Sequence, residues 1–247
     1  MKEKIEGLIT RLEAEEGITV LFAVESGSRE WGFASADSDY DVRCVHVYPA
    51  SRYLGIIPYR DQIDKTEAPI DLVSWDIHKF AHLLLASNPS VSEWLQSTTS
   101  YTASATRTVF KGLFEEQASL LTLKKHYIGM ARQNYEHYVR GKSAVSAKKW
   151  LYILRGLACS EYIIDAKKIP PMAYTGVINH LPLKLQEYFY ECLEAKASTE
   201  AGLARVDEGI NEWVEKYFTA KYEKSVNTFN INEVDEIVRN VVISYGV

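Results

Sequence analysis

Residues 18–24, ITVLFAV, form an apolar, β-branched run. Gly27-Ser28 follow it, and after ten intervening residues Asp39-Tyr40-Asp41 opens a second apolar run, YDVRCVHVY over 40–48. Runs of this kind bounded by turn residues read as buried strands. The chain must therefore place a tight turn and two carboxylates at the end of a sheet. On a strand, residues two apart point to the same face, so Asp39 and Asp41 converge. Two neighbouring carboxylates repel each other and neither tolerates losing its water. A divalent cation removes both penalties, and hard oxygen ligands suit Mg²⁺ or Mn²⁺. A third strand, IDLVSWD over 70–76, carries Asp71 near its start. Paired with the second strand, it would bring a third carboxylate to the same point. Three carboxylates could hold two ions about 3.5–4 Å apart, the arrangement that serves phosphoryl transfer. Asp71 would also be placed to accept the proton of an attacking hydroxyl. Gly27 lets a phosphate approach the backbone closely, and Ser28 adds a hydroxyl and an amide. Gly-Ser alone and Asp-x-Asp alone are common turn elements; their combination on successive strands points to metal-assisted chemistry on a triphosphate.

The remaining pattern bounds the fold. Ile5, Leu8, Ile9 and Leu12 fall at helical spacing over 3–15, and Gly17 ends that helix. Residues 50–69, with Gly55, Pro58 and Pro69, read as a loop. Asp76 is placed to N-cap a helix over 77–87, Asn88-Pro89 breaks it, and SVSEWLQS begins a short second helix. Past about residue 105 the periods become helical, over 107–140, 145–166, 183–196, 200–220 and 231–243, with no clear strand. The expected class is α+β: a small α/β domain over 1–105 with a short mixed or antiparallel sheet, then an all-helical domain over 106–247.

The chain of 247 residues carries a net charge of −5, so it is not a general polyanion binder. Residues 121–170, however, hold ten Lys or Arg against three acids, a net +7, which leaves −12 for the remainder. A basic segment in an acidic chain suggests a local anion site. No run approaches the roughly 20 apolar residues of a membrane helix. The first residues are charged and amphipathic, without the apolar core of a signal peptide, so a cytoplasmic protein is expected with no membrane partner. Cys44, Cys159 and Cys192 are too scattered for a disulfide framework or a zinc cluster. Nothing in the pattern indicates an oligomeric state.

The order of strand, Gly-Ser, spacer, Asp-x-Asp and later carboxylate resembles the DNA polymerase beta superfamily of nucleotidyltransferases. Gly27, Ser28, Asp39, Asp41 and Asp71 match its positions, and Ser26 stands where an apolar residue is usual. Three blocks, GSREWGFASADSDYDVR, DLVSWDIHKFAHLLLASNPSVSEWL and KKWLYILRGLACSEYI, resemble the RNA repair pathway DNA polymerase beta family. The resemblance implies a nucleotidyltransferase catalytic domain and a helical domain completing a nucleotide and substrate cleft. It implies transfer of NMP from an NTP to a hydroxyl, with release of pyrophosphate. The acceptor could be an RNA end, a protein hydroxyl or a small molecule. Asp39, Asp41 and Asp71 would be the catalytic and metal-binding residues, with two Mg²⁺ or Mn²⁺ ions. Gly27, Ser28 and Arg29 would bind nucleotide. Lys148, Tyr152 and Arg155, spaced i, i+4, i+7, share one helix face; two cations for phosphate and a ring for base or ribose suit a nucleotide. Lys149 is a further candidate on a neighbouring face. The alternative for these four is a solvated helix surface. Two other functions compete: an antitoxin-like or regulatory module that binds nucleotide or a partner without turnover, and an Asp-x-Asp glycosyltransferase. The Gly-Ser spacing and the short sheet argue against the latter.

Overall fold

Four strands, Thr19–Ser26 (β1), Tyr40–Val47 (β2), Gln62–Glu67 (β3) and Ile70–Asp76 (β4), form one mixed sheet in the order β1-β2-β4-β3. β2 runs antiparallel to β1 and parallel to β4, and β3 closes the edge antiparallel to β4. The parallel β2–β4 register sets Asp41 directly beside Asp71. This computed structural model describes residues 1–198, 202–205, 207–219 and 227–245. They divide into two units: the described residues within 1–30, 39–118 and 227–247 form the first, and those within 31–38 and 119–226 the second.

In the first unit the sheet is covered on both faces. Helix Lys2–Glu16 (α1) ends at Gly17, which takes the left-handed conformation at φ 62° and returns its N–H to Glu13. Its stripe of Ile5, Leu8, Ile9 and Leu12 is buried with Ala23, Val42, Cys44 and Leu72. A five-residue helix, Gly27–Trp31 (α2), follows β1, and another, Ala50–Leu54 (α3), follows β2. Helices Ile77–Leu85 (α4), Pro89–Gln96 (α5) and Ala105–Gln117 (α6) pack on the opposite face. Phe22 of β1 meets Phe80 of α4 edge-on at 5.5 Å, and Phe80 meets Phe110 of α6 at 5.3 Å. Trp75 of β4 stacks on Trp94 of α5 at 3.8 Å.

Asp76 caps α4 as expected, and Asn88, expected to break the preceding helix, also caps the next one. Asp76 Oδ1 accepts from the His78 N–H at 2.9 Å, and Asn88 Oδ1 accepts from the Ser90 N–H at 2.8 Å.

One departure lies in residues 50–69. This segment holds α3 and a full edge strand, β3, where a loop is expected, so the sheet has four strands rather than three. β3 reads QIDKTE and buries Ile63 alone among its residues, which is why apolar alternation does not betray it. It is held instead by backbone pairing and by ion pairs to α1, Arg11–Glu67 and Lys65–Glu15.

The second unit is helical, with Leu120–Tyr138 (α7), Ala147–Ala166 (α8), Leu183–Ser198 (α9) and Glu208–Thr219 (α10). The expected helix 107–140 is two helices, α6 and α7; Ser119 caps the second by accepting from the Thr122 N–H. Gly156 lies where α8 crosses α7, and a Cβ there would stand 3.2 Å from the Tyr127 carbonyl and 3.4 Å from Ala131 Cβ. Tyr127, Tyr135, Trp150, Leu154 and Phe189 belong to its core. Two short strands, Ala144–Ser146 (β5) and Leu203–Arg205 (β6), pair antiparallel in a region expected to be wholly helical. Residues 200, 201, 206 and 220 of the expected helix 200–220 lie outside the described residues. The last helix, Ile231–Tyr245 (α11), belongs to the first unit, where it packs on α4 and β2. The division therefore does not fall at residue 105: α6 and α11 go with the sheet, and Trp31–Ser38 go with the helical unit. Among the described residues, no helix is long and apolar enough to cross a membrane.

Candidate active site

The end of β1 brings the chain to Gly27, which adopts φ 63°. Such a backbone favours glycine. A second constraint acts at the same atom, because a Cβ on Gly27 would collide with the Asp41 carboxylate. The turn and the first strand-borne aspartate are thus built against each other. Ser28 beside it is buried.

Asp41 is fixed from several sides. Its N–H donates to Glu25 Oε1 at 2.8 Å. Glu25 is 2% exposed, and its Oε2 accepts from the Tyr101 hydroxyl. Burial holds the Glu25 carboxyl above the usual carboxylate range, opposed by these two hydrogen bonds. Burial and the Glu25 contact push the Tyr101 phenol up as well. On the other side stands Arg43, two residues along the same face of β2. Its Nη2 donates to Asp41 Oδ1 at 2.6 Å and to Asp71 Oδ2 at 2.9 Å. Its Nη1 donates to the Asp71 carbonyl at 2.8 Å and the Val42 carbonyl at 3.1 Å. Asp41 and Asp71 therefore converge on one cationic nitrogen.

Asp39 sits one residue before β2 and is exposed. Its carbonyl accepts from Arg29 Nε at 3.1 Å, and the Arg29 guanidinium lies 3.8 Å from the centre of the Tyr40 ring. Arg29 thus ties the end of the Gly-Ser helix to the backbone of the Asp-x-Asp segment.

The donor chemistry fits a hard divalent cation at Asp41 and Asp71: two carboxylate oxygens already share one positive partner, on adjacent strands whose register holds them there. Asp39 is not drawn into that cluster. Among the described residues, no group of three or more His, Cys, Asp or Glu is gathered as a metal cage.

The other nucleotide-binding candidates lie on α8 of the second unit. Lys148, Lys149 and Tyr152 are half-buried, and Arg155 is 4% exposed. Arg155 Nη2 and Nε donate to the Met172 carbonyl at 2.8 and 3.3 Å, and its guanidinium lies 4.6 Å from the Trp31 ring centre. Tyr152 meets Trp31 edge-on at 5.1 Å, and the Lys149 ammonium lies 3.8 Å from the centre of the Tyr138 ring. Arg155 and Tyr152 are therefore packed against neighbouring groups of the unit, while Lys148 and Lys149 stay half-exposed.

Glu25, Arg43 and Tyr101 are missed by the sequence reading. The first two leave a signal, since each is a charge within or at the end of an apolar run that reads as a strand. Tyr101 leaves none: it lies in the loop that follows α5, outside every motif.

The profile of the RNA repair pathway DNA polymerase beta family matches residues 1–240. An uncharacterized protein of Bacillus subtilis (strain 168), YcgL, is 38% identical over 187 residues, covering 73% of this chain and 70% of its own length. The crystal structure of a nucleotidyltransferase-like protein from Exiguobacterium sibiricum 255-15 is 10% identical, covering 98% of this chain and 77% of that one. Its TM-score of 0.32 is too low to bear on fold or activity.

Proposed function

The chain belongs to the RNA repair pathway DNA polymerase beta family, and from that premise we propose that it is a metal-dependent nucleotidyltransferase. It would transfer NMP from an NTP to a hydroxyl, such as an RNA end, and release pyrophosphate. The observation that carries the reading is the convergence of Asp41 and Asp71 beside the Gly27 turn. Mg²⁺ or Mn²⁺ at this pair would supply the charge that neutralises the triphosphate and the leaving pyrophosphate. Asp41 and Asp71 would hold it, with Asp39 joining from its exposed position; three such ligands leave room for a second ion. Asp71 is also the proposed acceptor of the attacking hydroxyl's proton. Gly27, Ser28 and Arg29 would meet the phosphates. On α8, Lys148 and Lys149 are the proposed phosphate contacts and Tyr152 the proposed stacking surface. Arg155, held by Met172 and Trp31, would act by fixing that face.

Substitution tests the roles. Asp41→Ala should abolish transfer and leave the fold intact. Asp71→Asn should retain nucleotide binding and lose most turnover, because the amide fills the space without accepting a proton. Wild-type transfer rates in Asp41→Ala would sink the reading. A parallel collapse of affinity and rate in Asp71→Asn would make Asp71 chiefly a ligand. A second reading, nucleotide or partner binding without turnover, draws support from the Arg43 bridge, which already satisfies the carboxylate pair. Nucleotide binding with no product from any NTP would favour it.

A further inference from the structure

Arg43 stands where a cation shared by Asp41 and Asp71 would stand, and that position has a consequence for metal binding. Nη2 takes one oxygen from each carboxylate. Nη1 is tied to backbone carbonyls of both strands, Val42 on β2 and Asp71 on β4. The side chain is 17% exposed, so the head group is part of the sheet surface rather than a mobile arm. An isolated pair of carboxylates this close would repel and splay apart. The guanidinium cancels one of the two charges, with Nη2 donating to both carboxylates and Nη1 anchoring the head group to the backbone. Asp41 is gripped from behind by Glu25 through its N–H and by the close wall of Gly27. The pair is thus assembled before any metal arrives, and a divalent cation coordinating the same two oxygens must displace Nη2.

We propose that Arg43 is a resident counter-cation that holds the Asp41–Asp71 pair in place and competes with divalent metal for it. The bare protein then binds metal weakly, and tight binding awaits a nucleotide that brings its own negative charge. The proposal rests on the metal-dependent reading above, but its test uses neither nucleotide nor turnover.

Mn²⁺ affinity of the full chain is measured by titration calorimetry for wild type, Arg43→Met and Arg43→Lys, with a thermal melt of each with and without Mn²⁺. Arg43→Met removes the cationic nitrogen that the two carboxylates share. It should melt lower than wild type without metal, bind Mn²⁺ at least about tenfold more tightly, and gain more in melting temperature when Mn²⁺ is added. Adding Asp71→Asn to Arg43→Met should abolish the gain. Arg43→Lys keeps the charge but cannot span both carboxylates and both carbonyls, so its Mn²⁺ affinity should fall between the other two. It provides the readout if the Met variant fails to fold. Mn²⁺ binding that weakens or stays the same when Arg43 is replaced overturns the proposal and leaves the metal-dependent reading intact. No Mn²⁺ binding by any variant, Arg43→Met included, likewise overturns the proposal, while the metal-dependent reading stands or falls on transfer from NTP.

Discussion

Gly27 carries two demands at one atom: a φ of 63° and a Cα surface against which the Asp41 carboxylate packs. The sequence suggests a glycine here for close approach of a phosphate, and the structure adds the approach of a protein carboxylate. Gly27→Ala should cost at least about 2 kcal/mol, from backbone strain and from the displaced Asp41 side chain. Chemical denaturation measures the loss, and an unchanged midpoint would mean that the turn relaxes around the new methyl. At this scale much of the site is legible beforehand, since Gly27, Ser28, Asp41 and Asp71 stand out by position in strands and turns. Glu25 and Arg43 are visible as charges within or at the end of apolar runs. Their roles are not, because which acceptor Arg43 reaches depends on the register between β2 and β4, which lie some thirty residues apart in the chain.

Elements with a strong apolar period are the ones read correctly from sequence. The stripe Ile5, Leu8, Ile9, Leu12 announces α1, Asp76 announces α4 as its cap, and Asn88-Pro89 marks the break before α5. β3 escapes because an edge strand buries little and Ile63 is its one apolar residue, too few to show an alternation. β5 and β6 escape because three residues carry no period. Packing between elements brings its own constraint at Gly156, where α8 passes the Tyr127 carbonyl and Ala131 without room for a branched side chain. Gly156→Val should destabilise the protein by about 1–3 kcal/mol through forced separation of α7 and α8. A thermal melt tests this, and a stability equal to wild type would show that the two helices part at no cost. The higher helix propensity of a residue other than glycine works in the opposite direction, by roughly 0.5 kcal/mol or less for valine, and is too small to hide the clash.

Across the whole molecule the chain does not hand over from one unit to the other at a single point. Trp31–Ser38 leave the sheet unit between the Gly-Ser turn and the Asp-x-Asp strand, and α11 returns to it at the end. A linear boundary near residue 105 follows from a change of periodicity, and periodicity cannot register a segment that returns. The proposed nucleotide contacts on α8 belong to this scale. Phosphate contacts carry little base information, so Lys148→Ala should raise KM for all four NTPs by a similar factor, roughly tenfold or more for a lost contact worth on the order of 1.5–3 kcal/mol. Tyr152→Ala should instead change the ranking among the NTPs. Unchanged KM values in both Lys148→Ala and Lys149→Ala, with an unchanged NTP ranking in Tyr152→Ala, would remove α8 from nucleotide binding. The central claim, that the Asp41–Asp71 pair serves nucleotidyl transfer, is tested most directly by incubating the intact protein with each α-phosphate-labelled NTP, Mg²⁺ or Mn²⁺, and a pool of RNA. The account predicts that label moves to an acceptor with release of pyrophosphate, that a chelator stops it, and that Asp41→Ala does not support it. Absence of labelled product and of pyrophosphate with every NTP, with RNA, protein and small-molecule hydroxyls all present, would contradict it.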